Sequence, residues 1–238
     1  MTKDLKKRII TSILLFIFAI LSILINEIFF LFIAFVVLFL CVTEWHKLNW
    51  KYFRKKKWEY NLITAIGIIY AFFVLFTIRN LRGDSFEDAI FLIFILSVCV
   101  GSDIGGYVFG KLIGGKKLIK ISPNKTISGS VGSFTFSLLP LFLFNFQLSL
   151  KNIFFCLIVS LSCQLGDLII SYFKRLNKIK DTGSILPGHG GLLDRLDGII
   201  FALPTVYILK ISEIFQYEKE NCDTWLNGVY WKIHIGCY

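Results

Sequence analysis

Residues 153–197 read IFFCLIVSLSCQLGDLIISYFKRLNKIKDTGSILPGHGGLLDRLD, a hydrocarbon-rich run that passes directly into the longest strongly polar run between two apolar segments of the chain. In the first half, Ser160, Gln164, Asp167, Ser171 and Lys174 recur at spacings of four, three, four and three, which sets them on one face of a helix. A polar stripe through an apolar helix has to face a partner or a wet cavity, because ionisable groups are costly in hydrocarbon. The stretch therefore predicts a membrane-embedded helix with one wet face. Asp167 is the deep anion of that face, and Lys174 and Arg175 mark its mouth.

The remainder of the chain agrees with this reading. Of 238 residues, 55% are hydrophobic, 25 are Phe and only 18% are charged, against about 25% charged in ordinary soluble domains; the mean hydropathy is +0.69. Apolar runs cover Ile9–Ile25, Ile28–Val42, Leu62–Ile78, Ala89–Phe109, Val131–Phe146, Ile153–Phe173 and Gly198–Leu209. The expectation is an all-α polytopic transmembrane bundle of about seven spans, with room for up to nine. Backbone groups in hydrocarbon must be satisfied within a segment, and the period-2 alternation of a barrel is absent. The net charge of +10 is spread between apolar spans instead of over one soluble face, which argues for membrane orientation and against nucleic acid. Cys41, Cys99, Cys156 and Cys163 lie inside apolar runs and behave as small hydrophobes, and no CxxC pair is present. The basic N-terminus leads into an apolar run without a convincing small-residue cleavage site after Ile25, so it reads as an uncleaved first helix.

Positive charge predicts the orientation. Twenty of the 26 basic residues fall before the first run, after the second, between the fourth and fifth, and between the sixth and seventh. With seven spans, all four of these segments share one side, the cytoplasm. Three regions follow: 1–85, N-terminal helices with a basic loop; 86–210, a catalytic transmembrane region; and 211–238, a tail of unassigned role. In the basic loop, WHKLNWKYFRKKKW (Trp45–Trp58) interleaves aromatics with cations, which suits either an interfacial segment on anionic headgroups or a plain positive-inside loop.

A second polar stretch, Asp103–Ser130, looks like the partner of Ser171–Asp197. Asp103 sits near the polar end of the fourth run with Tyr107 one turn on, and it either faces a cavity or ion or pairs with an interfacial lysine. Six glycines from Gly101 to Gly115 permit close helix packing or a break. Lys125 and Thr126 precede the small residues Ser128, Gly129 and Ser130, which fits a phosphate cradle at a helix start or a simple turn. Asp194 and Asp197, at i and i+3, share a helical face. Joined by Asp167, they would make an oxygen-rich site for a hard cation such as Mg²⁺, unless Asp194, Arg195 and Asp197 merely neutralise one another. Basic residues close by suggest a phosphorylated ligand.

From Ser171 to Asp197 the sequence strongly resembles the signature of the phosphatidate cytidylyltransferases. The matching elements are Ser171, Lys174-Arg175, Lys180-Asp181, Pro187-Gly188-His189-Gly190-Gly191 and Asp194-Arg195-Leu196-Asp197. ISPNKT at Ile121–Thr126, preceded by Asp103 and Tyr107, resembles that family's second motif. The chain departs from the family pattern after Thr126, where Ile127-Ser128-Gly129 replaces Trp-Glu-Gly, and again beyond about Lys210.

The resemblance implies an integral-membrane nucleotidyltransferase that converts CTP and phosphatidic acid to CDP-diacylglycerol and pyrophosphate. Asp167, Asp194 and Asp197 would hold Mg²⁺, with a second cation allowed beside it. Lys174, Arg175 and Lys125 would bind phosphates, and His189 would act as phosphate donor or general acid. Ser122, Thr126, Gly129 and Ser171 would complete the substrate contacts with Asp103 and Tyr107 on one side and Lys180, Asp181, Gly190, Gly191 and Arg195 on the other. Expected partners are the two substrates and the lipid bilayer, with no nucleic acid; a homodimer is allowed. The expected location is a bacterial inner membrane with the site facing the cytoplasm. Two other readings are a CTP-dependent polyprenol or phytol kinase, which would release CDP, and a cation transporter, which would use Asp103 and Asp167 as a path.

Overall fold

A computed structural model describes residues 3–53, 56–119, 122–183 and 190–212. The helices are α1 (Lys3–Ile25), α2 (Glu27–Phe53), α3 (Lys57–Arg82), α4 (Phe86–Leu112), α5 (Ile127–Phe136), α6 (Leu139–Leu143), α7 (Leu150–Leu176) and α8 (Leu193–Ile211). Six of the seven apolar runs seen in the sequence each lie within one of them; the fifth does not. Among the described residues, four stretches, Glu27–Trp50, Lys57–Arg82, Phe86–Leu112 and Leu150–Leu176, are long and apolar enough to cross a membrane. Val74, Ile95, Val98, Val159, Ala202 and Val206, fully buried, form the core shared by α3, α4, α7 and α8. His189 and the tail beyond Ser212 lie outside the described residues.

The structure departs from the sequence expectation in two places. The fifth apolar run is not one helix but two, α5 and α6, because Pro140 has no N–H to offer the carbonyl of Phe136 four residues back. That carbonyl instead lies against α4, where a Cβ on Gly101 would stand 2.8 Å from it. The chain is also not all-helical: strands β1 (Lys117–Ile119) and β2 (Ser122–Thr126) form a small antiparallel hairpin, with Lys117 opposite Thr126 and Ile119 opposite Ser122.

Helix termini are satisfied mostly by neighbouring residues in sequence. Asn26 Oδ1 accepts the Ile28 N–H at the start of α2. Ser85 Oγ accepts Asp88 N–H and donates to Asp88 Oδ2 at α4. Ser149 Oγ accepts Asn152 N–H at α7, and Thr126 Oγ1 accepts Gly129 N–H at α5. At the other pole, the buried Arg82 donates Nε to the Ile23 carbonyl at 2.9 Å and Nη1 to those of Gly83 and Ser85. One guanidinium thus joins the end of α1 to the α3–α4 turn, with its charge where the α1 dipole favours a cation.

Pro204 lies inside α8 and leaves the Ile200 carbonyl without its helical donor. Tyr70 on α3 supplies it: the phenol donates to Ile200 O at 3.2 Å. Tyr70→Phe is therefore expected to lower the unfolding free energy by about 1–2 kcal/mol, the cost of an unmade buried hydrogen bond. In a Pro204→Ala background, where residue 204 regains an N–H, the same change should cost under about 0.5 kcal/mol. Equal losses in both backgrounds, measured by denaturant unfolding in detergent, would contradict this pairing.

Candidate active site

The two polar stretches meet around a cavity of about 370 Å³. From α4 come Asp103, Gly106 and Tyr107; from the hairpin, Leu118, Lys125 and Thr126; from α5, Gly129, Ser130 and Ser133; from α7, Gln164, Asp167 and Lys174; and from α8, Asp194, Arg195 and Asp197. Small residues make the approach possible. A Cβ on Gly132 of α5 would stand 2.6 Å from the Gly105 carbonyl of α4, and one on Gly166 of α7 would run into the Asp197 carbonyl of α8. Backbones therefore touch at both helix pairs, and side chains flanking those contacts converge.

The α7 stripe is fully engaged. Ser160 Oγ lies 2.8 Å from Ser102 Oγ of α4, Gln164 reaches Ser130 of α5 and Ser160, and Ser171 Oγ donates to Asp167 Oδ1 at 3.2 Å. Lys125 forms an ion pair with Asp167. Lys174 Nζ sits 2.8 Å from Asp194 Oδ1, with the two side chains 11% and 8% exposed, so this pair is largely removed from solvent screening.

Four carboxylates, Asp103, Asp167, Asp194 and Asp197, face three cationic side chains, Lys125, Lys174 and Arg195, among the described lining residues. Asp103, Asp167 and Asp197 lie near enough to feel one another's charge. Such an oxygen donor set has the chemistry of a hard-cation site. Among the described residues, however, no three His, Cys, Asp or Glu side chains gather as a group poised to hold a metal ion. Asp194 differs from the other two aspartates of the expected triad. Its Oδ1 takes Lys174, and its Oδ2 accepts Thr182 N–H at 2.7 Å, Thr182 Oγ1–H at 3.0 Å and Gly191 N–H at 3.0 Å. With both oxygens occupied, Asp194 ties the loop to the start of α8. Asp167 is engaged at both oxygens as well, by Ser171 and Lys125, and Asp197 Oδ1 accepts Gly198 N–H.

Other sequence-predicted residues fall on either side of the cavity wall. Tyr107, Lys125, Thr126, Gly129 and Arg195 line it. Arg175 is exposed and donates to the Ile179 carbonyl at 3.2 Å, outside the lining; Lys180 and Asp181 are also exposed. Asp181 packs on Gly190, whose φ of +87° suits glycine. Gly191 contributes through its N–H to Asp194. The Ser122 side chain and His189 lie outside the described residues.

Glu44 of α2 escaped the sequence reading. It is 1% exposed and accepts hydrogen bonds from Thr182 Oγ1, Leu192 N and Leu193 N. The available signal was a lone carboxylate at the polar end of an apolar run, but nothing in sequence links it to residues some 150 positions away.

Comparison with known proteins matches residues 49–212 to a family model described as the cytidylyltransferase family. Similar proteins include three bacterial ones, each named phosphatidate cytidylyltransferase. That of Staphylococcus saprophyticus is 43% identical over 157 residues, covering 63% of this chain and 57% of the relative. That of Staphylococcus haemolyticus is 47% identical over 117 residues, covering 47% and 45%. That of Bacillus subtilis is 40% identical over 153 residues, covering 60% and 54%. The chain spans about half the length of these relatives.

The desolvated Lys174–Asp194 pair generates a stability prediction. Lys174→Met leaves a carboxylate without its cation and is expected to cost about 3 kcal/mol of unfolding free energy. Lys174→Met/Asp194→Asn should lose less than the sum of the two single changes by more than about 1 kcal/mol. Additive losses would mean that the two groups do not act as a pair.

Proposed function

The chain belongs to the cytidylyltransferase family, and on that premise we propose that it joins CTP to phosphatidic acid, forming CDP-diacylglycerol and pyrophosphate. The observation that carries the reading is the meeting of Lys125, Lys174, Asp167 and Asp197 around one cavity between apolar helices. A triphosphate and a lipid phosphate are both anionic, and a site that joins them needs cations, opposed carboxylates and access from the bilayer.

In the proposed reaction an oxygen of the lipid phosphate forms a bond to the α-phosphorus of CTP. The bond from that phosphorus to the bridging oxygen of the β-phosphate breaks, and pyrophosphate leaves with the electron pair. A stable anion leaves, so the protein's work is mainly positioning and charge neutralisation. Lys125, beside the start of α5, exchanges Asp167 for a phosphate oxygen as the nucleotide enters. Lys174 stays with Asp194 and presents its remaining donors to the cavity. Mg²⁺, when bound, supplies Lewis-acid polarisation and offsets phosphate charge; Asp167 and Asp197 would hold it.

On this reading the protein is a bacterial inner-membrane enzyme whose cavity opens to the cytoplasm, the side of CTP. The distribution of Lys and Arg between apolar runs supports that orientation, and the bacterial relatives support the location.

The test is turnover of labelled CTP with phosphatidic acid in detergent micelles, with and without Mg²⁺. Expected products are CDP-diacylglycerol and pyrophosphate, with activity lost in excess EDTA. Asp197→Ala should reduce kcat by at least about 10²-fold, and Lys125→Ala should raise the KM for CTP about tenfold. Release of CDP and a phosphorylated alcohol instead, or undiminished turnover by Asp197→Ala, would overturn the assignment.

A further inference from the structure

Glu44 is the single charged side chain of α2 between Glu27 and His46, and it is buried in the protein at the mouth of α8. Its Oε1 accepts Leu192 N–H at 3.0 Å, while Oε2 accepts Leu193 N–H at 2.8 Å and Thr182 Oγ1–H at 3.0 Å. The surrounding backbone closes on the carboxylate: a Cβ on Gly183 or Gly191 would stand 2.5 Å from one of its oxygens. No Lys or Arg forms an ion pair with it among the described residues.

A terminus that only needed capping could use its own N-cap residue, as α4, α5 and α7 do with Ser85, Thr126 and Ser149. Helix α8 instead has Leu192 there, which offers no side-chain oxygen. Its cap comes from a different helix, across 148 and 149 residues of sequence. The consequence is mechanical. Asp194 and Asp197 lie in the first turns after Leu193, so their reach toward Lys174 and the cavity is referenced to α2. Thr182 strengthens the link, because its hydroxyl lies 3.0 Å from both Glu44 Oε2 and Asp194 Oδ2 and its one proton is shared between them.

We infer that Glu44 is a positioning residue for the nucleotidyl transfer: from α2 it fixes the first turn of α8 and the Thr182 loop, so that Asp194 meets Lys174 and Asp197 faces the cavity. The inference rests on the proposed function, since positioning is defined by the reaction it serves. Glu44 itself does not line the cavity, and it lies just before the segment matched by the family model.

The test uses the full chain in detergent with Glu44→Gln and Glu44→Ala, reading kcat, KM and amide hydrogen exchange. Glutamine keeps the size but turns an N–H₂ toward one backbone donor. Its kcat per folded enzyme should fall about tenfold, and that of Glu44→Ala about 10²-fold, the scale of an ångström misplacement. The KM values for CTP and phosphatidic acid should move by less than about threefold. Amides of Leu192 and Leu193 should be protected in the wild type and exchange at least about tenfold faster in Glu44→Gln, with α3 and α4 unchanged. Wild-type kcat in Glu44→Gln, loss of protection throughout the bundle, or unprotected Leu192 and Leu193 amides in the wild type would each overturn the inference. If Glu44→Ala fails to accumulate, Glu44→Gln and wild-type exchange decide. Wild-type protein that protects these amides yet turns over no CTP would mark failure of the functional reading instead.

Discussion

A helix leaves the N–H groups of its first turn without internal partners, and in α8 that turn begins inside the protein, not in water. Leu192 and Leu193 are both buried, so water cannot take their donors and a protein acceptor must. Glu44 meets this constraint with two oxygens at once. A carboxylate is the strongest acceptor available for the purpose, and the helix dipole adds to its favour at an N-terminus. The arrangement fixes more than one helix: the same carboxyl group holds Thr182, Thr182 holds Asp194, and Asp194 holds Lys174 of α7. Three helices and a loop are thereby tied to one another through a chain of polar contacts beside the cavity.

The cavity's other wall obeys a different rule. There the organising force is contact between helices whose facing residues are small, so that α4 and α5 approach until backbone meets backbone. Close packing leaves no room for side chains along the seam, and the polar groups on its flanks, Asp103, Ser130 and Ser133, point into the open space. Pro140 contributes at a distance by ending α5, since a continuous helix would consume the Phe136 carbonyl that now rests on Gly101. The wall of small residues and the wall of charged residues are complementary: one sets the width of the cavity and the other its potential.

Much of this was legible in the sequence. The spacing of Ser160, Gln164, Asp167, Ser171 and Lys174 announced a helical stripe, and all five side chains are engaged on that face. Six of the seven apolar runs are helical throughout, and Asp103, Lys125, Asp167 and Asp197 line one cavity as the pairing of two polar stretches implied. What stayed illegible depended on tertiary distance or on the loss of one donor. Glu44 carries no local pattern linking it to Leu192. The i, i+3 spacing of Asp194 and Asp197 places side chains on a face but cannot say which neighbours engage their oxygens in the resting protein. The split of the fifth run followed from one proline inside a hydropathy signal that averages over it.

The resting charge balance bears on how such a site can accept an anion. Lys125 and Lys174 are each paired with a carboxylate, so the described lining offers no large surplus of positive charge to a triphosphate. Burying unpaired lysines would be costly in a cavity walled by apolar helices, and pairing them with aspartates removes that cost. On the proposed function, it also means that an incoming phosphate replaces a carboxylate as partner of an ammonium. The displaced carboxylate then becomes a free ligand at the moment the phosphate arrives. Asp167 is placed for that exchange through Lys125. Asp194, held by three donors from Thr182 and Gly191 as well as by Lys174, is not. On the proposed function, two aspartates that line the same cavity from different helices divide the work: one changes partners, and the other keeps the frame still while it does.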